Sequence, residues 1–286
     1  MEWKGRRGSR NIEDRRASGR RITAGGAGSI GGIGLVAVLV IGYFLGIDVT
    51  PLLNDPNIAG GSTEPVEMTA ADQERAEFVA VTLADTEEVW TRLFEAQTRM
   101  AYQPATLVLF KGATDDSPCG GVTAASGPFY CPGDRKVYLD TDFFVTLQQR
   151  LGAKGEFAAA YVVAHEVAHH VQNELGILSK ANEVRAQSSE AESNEISVRI
   201  ELQADCLAGI WAREAREIGS FTTRDFEDAV NAARQIGDDT LQAAAGRTVR
   251  PESFTHGTSD QRARWFNIGL QSGVLADCDT FRAQSL

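Results

Sequence analysis

Two histidines four residues apart, His165 and His169, with Glu166 directly after the first, form the most chemically loaded stretch of the sequence. On a helix this spacing turns the second imidazole only about 40° from the first, so both can grip one ion from one helix face. H-E-x-x-H is the pattern of zinc hydrolases, in which the glutamate does not ligate but takes a proton from the attacking water. The sequence has only 4 histidines in 286 residues, which makes a chance occurrence rare. His170 lies about 140° around the same helix from His165 and is read as a polar supporting residue.

A catalytic zinc takes three protein ligands and keeps one position open. Outside this helix the only histidine is His256, which favours a carboxylate as the third ligand. Glu201 is the best candidate, and Asp205 shares its helix face, where it can orient a ligating imidazole through the free ring nitrogen. A solvated acidic face is the plainer alternative for that pair.

These residues need two helices to hold them. Phe157, Tyr161, Ala164, Ala168, Val171 and Leu175 recur at steps of three and four, and Gly176 is a fitting stop. A second helix is expected over 188–217, where Val198, Leu202, Cys206 and Ile210 are spaced by four. Upstream, Thr69 with Asp72 reads as the start of a helix running to about 100. Strand-like pieces follow at 105–111 and 136–140, with Gly127 to Tyr130 between them. Helical pattern dominates from 141–151 to about 235, with a turn at 241–245 and a last helix capped by Ser259. The polar stretch 179–195 is either a lid or a connector. The expectation is a mainly helical α+β domain with a small β-sheet.

The chain resembles the bacterial neutral zinc metallopeptidase family, membrane-anchored proteins in which H-E-x-x-H precedes E-L-Q-A-D-C. The matching pieces are Ala164 to His169, Glu201 to Cys206, and His256-Gly257-Thr258-Ser259-Asp260-Gln261-Arg262. Trp3 to Arg7 and Asn11 to Arg16 also resemble the family's opening. More distantly, the motif order is similar to that of zinc peptidases of the CAAX-processing type, although Gly257 stands where those usually have proline. The resemblance implies a zincin-like, gluzincin-like fold with Zn2+ held by His165, His169 and Glu201. It also implies catalytic roles for Glu166, His256 and Arg262, the last two as candidate donors to the developing oxyanion; a helix-start loop in which Arg262 pairs with an acidic neighbour is the plainer alternative. By the same likeness, the region from Gly127 to Cys131 is the expected edge that holds a substrate in extended form.

Charge and hydropathy address location. Residues 22–47 carry no charge, and the stretch at 29–47 is long enough for a minimal transmembrane anchor. Before it the chain has a net of +5, whereas the remainder carries −16 of the total −11. The positive-inside rule then gives a basic cytoplasmic segment at 1–28, an anchor at 29–47, a linker at 48–69 rich in Pro and Gly, and an exported zinc metallopeptidase domain at 70–286. A cleaved signal peptide is the rival, but no small-x-small site follows Ile47. The acidic remainder argues against a nucleic-acid partner, and lipid headgroups explain the basic arm more simply. Cys119, Cys131, Cys206 and Cys278 agree with export. Three pairings are open, of which the local Cys119 with Cys131 is the economical one.

The expected activity is a single-pass, bacterial membrane-anchored zinc endopeptidase acting on exported or misfolded polypeptides outside the cytoplasm. A non-catalytic, zinc-stabilised binding protein of the same shape is the alternative.

Overall fold

The structure is a computed structural model that describes residues 2–18, 68–114, 117–120, 122–123, 127–149, 156–219 and 223–286. The expected anchor at 29–47, and all but the last two residues of the expected linker, lie outside the described residues. Among the described residues no helix is long and apolar enough to cross a membrane.

In chain order the elements are strand β1 (Ile12–Asp14), helix α1 (Ala70–Leu93), strands β2 (Thr106–Phe110), β3 (Ala113–Thr114), β4 (Val122–Thr123), β5 (Phe129–Cys131) and β6 (Lys136–Asp140). Helices follow: α2 (Phe143–Gln149), α3 (Glu156–Glu174), α4 (Ile177–Arg185), α5 (Glu190–Ala215), α6 (Thr223–Gln235), α7 (Asp238–Ala244) and α8 (Ser259–Ser272). The polar stretch after Gly176 is thus a helical connector, α4 and a tight turn, rather than a free loop. Thr69 caps α1 as expected, in a reciprocal pair with Asp72. The cap of α8 is Thr258 rather than Ser259, because Gln261 stands at the position that closes the capping box. The Ser259 hydroxyl is used elsewhere, donating to the Arg234 carbonyl at 2.7 Å.

The sheet has the order β1-β2-β6-β5, with the first three strands parallel and β5 antiparallel to β6. Side chains alternate across it. Leu107, Leu109, Val137 and Leu139 enter the main core with the helices, whereas Val108, Phe110, Tyr138 and Cys131 form a second small cluster with Phe129. Both faces of β2 and β6 are therefore buried, which is why these strands read as continuous apolar runs.

Helix α3 lies in the core with α5, and α8 crosses α5 at very short range. A Cβ on Gly209 would stand 2.0 Å from the Phe266 carbonyl oxygen, and one on Gly269 would stand 1.8 Å from that of Cys206. Only glycine at both positions permits that crossing. Two disulfides close the fold, Cys119–Cys131 and Cys206–Cys278.

Residues 2–18, expected as a separate cytoplasmic segment, are part of the same folded unit. β1 pairs in parallel register with β2, Ile12 opposite Leu107 and Asp14 opposite Leu109. Trp3 is buried edge-to-face against Phe78 of α1. Arg6 forms a two-pronged pair with Asp85 at 2.6 and 2.9 Å, and the buried Arg16 donates to the Asp72 carbonyl at 2.7 Å. These charges read in the sequence as a topology signal, but in the fold several of them are partners of acidic groups on the domain. A strand hydrogen-bonded into this sheet belongs to the domain, so residues 2–18 are not a structurally separate segment.

Candidate metal centre

Helix α3 forms because its sequence from 156 to 174 lacks Gly and Pro and is rich in alanine. It ends at Gly176, whose φ of 70° suits glycine. Helix α5 starts at a capping box between Ser189 and Glu192 and is buried on every side from Leu202 to Ala212. Burial of both apolar faces brings His165 and His169 of α3 against Glu201 of α5.

The three expected ligands converge. His165 Nε2 stands 3.1 Å from Glu201 Oε2, and His169 Nε2 stands 3.5 Å from Glu201 Oε1. The chosen ligand atoms all lie within 4.8 Å of one another. Donors around a tetrahedral zinc at its usual bond lengths are ~3.3 Å apart, so the set fits with small adjustments. Burial pushes the Glu201 carboxyl upward, but His169 and His165 outweigh it and hold it well below the usual range, with His256 adding to the effect. The site thus offers one carboxylate and two imidazoles.

Asp205 lies behind His165, accepting from its Nδ1 at 2.9 Å. A carboxylate only accepts here, so the proton sits on Nδ1 and Nε2 is left for the metal. Asp205 also accepts from the Tyr161 hydroxyl, and from Arg262 through Nε at 2.8 Å and Nη2 at 3.0 Å. Burial pushes Asp205 up, but Arg262 and His165 overcome it and lower its pKa.

Of the two readings of Arg262, oxyanion donor or partner of an acidic residue, the structure shows an acidic partner, Asp205. Arg262 is 2% exposed; Nη2 also donates to the Tyr161 hydroxyl at 3.3 Å, and the remaining nitrogen, Nη1, donates to the Ile236 carbonyl at 3.2 Å. Glu166 is buried on the same helix as the two histidines, and burial raises its carboxyl, opposed by His169 and His165. His256 is half-buried, with Nδ1 at 3.3 Å from Asp238 Oδ1 and 3.0 Å from Thr255 Oγ1. His170 is turned away from the ligands, joined to the Tyr130 hydroxyl at 3.1 Å and the Gln103 carbonyl at 2.6 Å.

A family described as "Putative neutral zinc metallopeptidase" matches residues 1–281. The chain belongs to that family. Within it, the uncharacterized protein YpfJ of Escherichia coli K12 is 45% identical over 288 residues, covering 98% of this chain and 99% of the relative. The uncharacterized protein Mb2605 of Mycobacterium bovis is 39% identical over 251 residues, covering 82% of this chain and 81% of the relative. No solved structure matches the chain significantly. Membership implies zinc, and the convergence of His165, His169 and Glu201 supplies a place for it in this member of the neutral zinc metallopeptidase family.

Three supporting residues escaped the sequence reading. Tyr161 and Gln172 lie one turn to either side of the ligands on α3, and helical spacing alone could have flagged them. Gln172 Oε1 accepts from His169 Nδ1 at 2.9 Å. Asp238 could not have been found that way, because it meets its partners across a loop. Its Oδ2 accepts the backbone N–H groups of Thr255, His256 and Gly257 at 2.8, 2.7 and 3.0 Å.

Proposed function

We propose that this protein is a zinc-dependent endopeptidase that cleaves unfolded or misfolded exported polypeptides. Glu166 is the observation that carries the reading: a buried carboxyl beside the ligand histidines but outside the ligand set, its pKa raised toward the range useful to a general base. Zinc, when bound by His165, His169 and Glu201, would lower the pKa of water to about 7 and polarise the scissile carbonyl. Glu166 would take the proton of the attacking water and return it to the departing amine. Asp205 and Gln172 hold the ligating imidazoles with Nε2 forward. His256, its ring turned by Asp238, would donate to the developing oxyanion.

An extended substrate suits the neighbouring sheet. β5 is an edge strand, and Tyr130 on it packs against His170 of α3 with ring centroids 5.5 Å apart. A peptide added along that edge would use its own backbone hydrogen bonds, which favours unfolded chains. Two disulfides support a location outside the reducing cytoplasm. The apolar segment at 29–47 would hold the protein at the bacterial membrane, with the domain on the extracytoplasmic face.

The test is hydrolysis of a casein-like unfolded substrate by the full-length protein, with and without zinc. Zinc-dependent cleavage is expected. Tight zinc binding without cleavage over a broad set of unfolded substrates would instead assign the chain to the non-catalytic binding class.

A further inference from the structure

The two ligand histidines are held by unlike partners. His165 donates to Asp205, a carboxylate that Arg262 neutralises, whereas His169 donates to a neutral amide, Gln172. An amide can be turned either way, and a turned Gln172 would present its NH2 group to His169. The Nδ1 atom would then have to accept, the proton would move to Nε2, and the ring could not ligate through that atom. Something must fix the amide.

The fixing groups are two backbone carbonyls. Gln172 Nε2 donates to the Ile200 carbonyl at 2.8 Å and to Gln203 Oε1 at 3.0 Å. Gln203 Nε2 in turn donates to the Cys278 carbonyl at 2.9 Å. A backbone carbonyl only accepts, so each amide has its NH2 end assigned without ambiguity. Gln172 and Gln203 are both buried, where an amide left facing like groups loses its hydrogen bonds and water cannot replace them. The Cys278 carbonyl is itself held in place by the Cys206–Cys278 disulfide, whose other half belongs to α5.

We propose that Gln172 and Gln203 are positioning residues that set the tautomer of His169, the order of donors running from the Cys278 and Ile200 carbonyls through two amides to the second zinc ligand. The proposal rests on the metal centre described above. It assigns a task to the glutamine of E-L-Q-A-D-C that neither metal ligation nor the Asp205 clamp requires. Gln203 hydrogen-bonds to neither ligand histidine, and its hydrogen-bonded route to His169 runs through Gln172.

Full-length protein carrying Gln172→Met or Gln203→Met keeps side-chain length and packing but loses the amide. Zinc affinity is measured by competition with a chelating dye, and the His169 Nδ1–H resonance is followed in zinc-loaded, 15N-histidine-labelled protein. Gln172→Met should weaken zinc binding ~10–100-fold, the range for outer-shell partners of a ligating histidine. Gln203→Met should weaken it less, in the same direction, and both should shift the Nδ1–H resonance or lose it to exchange. If Gln203→Met lowers thermal stability while zinc affinity and that resonance match the parent, the amide is only packing and the proposal is wrong. If the parent binds zinc but shows His169 ligating through Nδ1, the proposal fails and the metal centre stands. Absence of zinc binding by the parent overturns both.

Discussion

Arg262 grips Asp205 with two nitrogens, Nε to Oδ2 at 2.8 Å and Nη2 to Oδ1 at 3.0 Å, and both side chains are almost wholly buried. The pair joins α8 to α5 directly behind the first zinc ligand. Removing the guanidinium leaves a buried carboxylate without its counter-charge, and breaking such pairs costs about 3–5 kcal/mol. Arg262→Met should therefore lower unfolding stability by that order in denaturant melts, and should also weaken zinc binding through His165. Adding Asp205→Asn should recover part of the stability but not the zinc affinity. Simple additivity of the two changes in a double-mutant cycle would show that the clamp is not a coupled unit.

Glu166→Gln keeps size and hydrogen-bonding reach and leaves all three ligands in place. Zinc content and melting temperature should stay near those of the parent. Cleavage of an unfolded substrate should fall ~10²–10⁴-fold, the usual contribution of a general base. Parent-like turnover at matched zinc loading would remove Glu166 from the mechanism.

Protons compete with the metal. Burial acts to lower His165, but Asp205 and then Glu201 outweigh it and raise its pKa to about 10; His169 is raised as well, burial being overcome by Glu201. In the metal-free protein His165 holds its second proton at pH 7, so zinc must displace it and its affinity should strengthen from pH 6 to 9. Stability of the metal-free protein should run the other way. A folded-state pKa raised from 6.5 to about 10 contributes stability that is complete below pH 6.5 and is lost as pH rises through about 10. Calorimetry in buffers of different ionisation heat should report proton release on zinc binding. Zinc affinity that stays flat from pH 6 to 9 would contradict this electrostatic picture.

The first residues can be tested as part of the domain. Trp3 is 4% exposed against Phe78, and truncating a buried tryptophan costs about 3–5 kcal/mol. Trp3→Ala should destabilise by that order, although it is far in sequence from the zinc ligands. In intact cells, protease sites inserted before Trp3 and after Met68 should be cut from the same side. Cleavage from opposite sides would separate β1 from the sheet.

The close crossing of α5 and α8 predicts a steric effect with no chemical component. Gly269→Ala places a methyl group into the backbone of α5, at the Cys206 carbonyl. The helices must part, which moves Arg262 away from Asp205. Loss of at least ~1–3 kcal/mol is expected from overpacking, together with weaker zinc binding. An alanine variant with parent stability and metal affinity would show that the helices can part without disturbing the clamp.

What the sequence made legible was periodic and local. His165, Glu166 and His169 lie on one helix, and Glu201 and Asp205 on another, so residue spacing alone brought each set to one face. The caps at Thr69 and Thr258 differ in outcome for a local reason. Thr69 has its Asp72 three residues on, whereas the Ser259 reading overlooked Gln261 as the partner of Thr258. What was not legible depends on long-range contact. Arg262 could be read as an oxyanion donor or as the partner of an acidic residue, and nothing in its surroundings singles out Asp205, fifty-seven residues earlier. Likewise β1 has only three residues and no alternation to detect, and its partner strand begins more than ninety residues later. The basic character of that segment was plain, but its ion pairs with α1 were not.

The short strand β1 also decides how the sheet meets other molecules. Without it, β2 would present Leu107, Val108, Leu109 and Phe110 along a bare edge, an apolar run of high β-propensity of the kind that templates aggregation. With it, that side ends in a three-residue strand whose Glu13 is engaged by Lys136 and Arg15, a poor surface for further pairing. The opposite edge, β5, is left for a guest chain. Under the proposed function, unfolded chains would be admitted at β5, the edge that packs against the helix of the ligand histidines, and denied the other edge. A copy that lost its first eighteen residues would be open on both sides, and would be expected to form mixed fibres with the chains it meets.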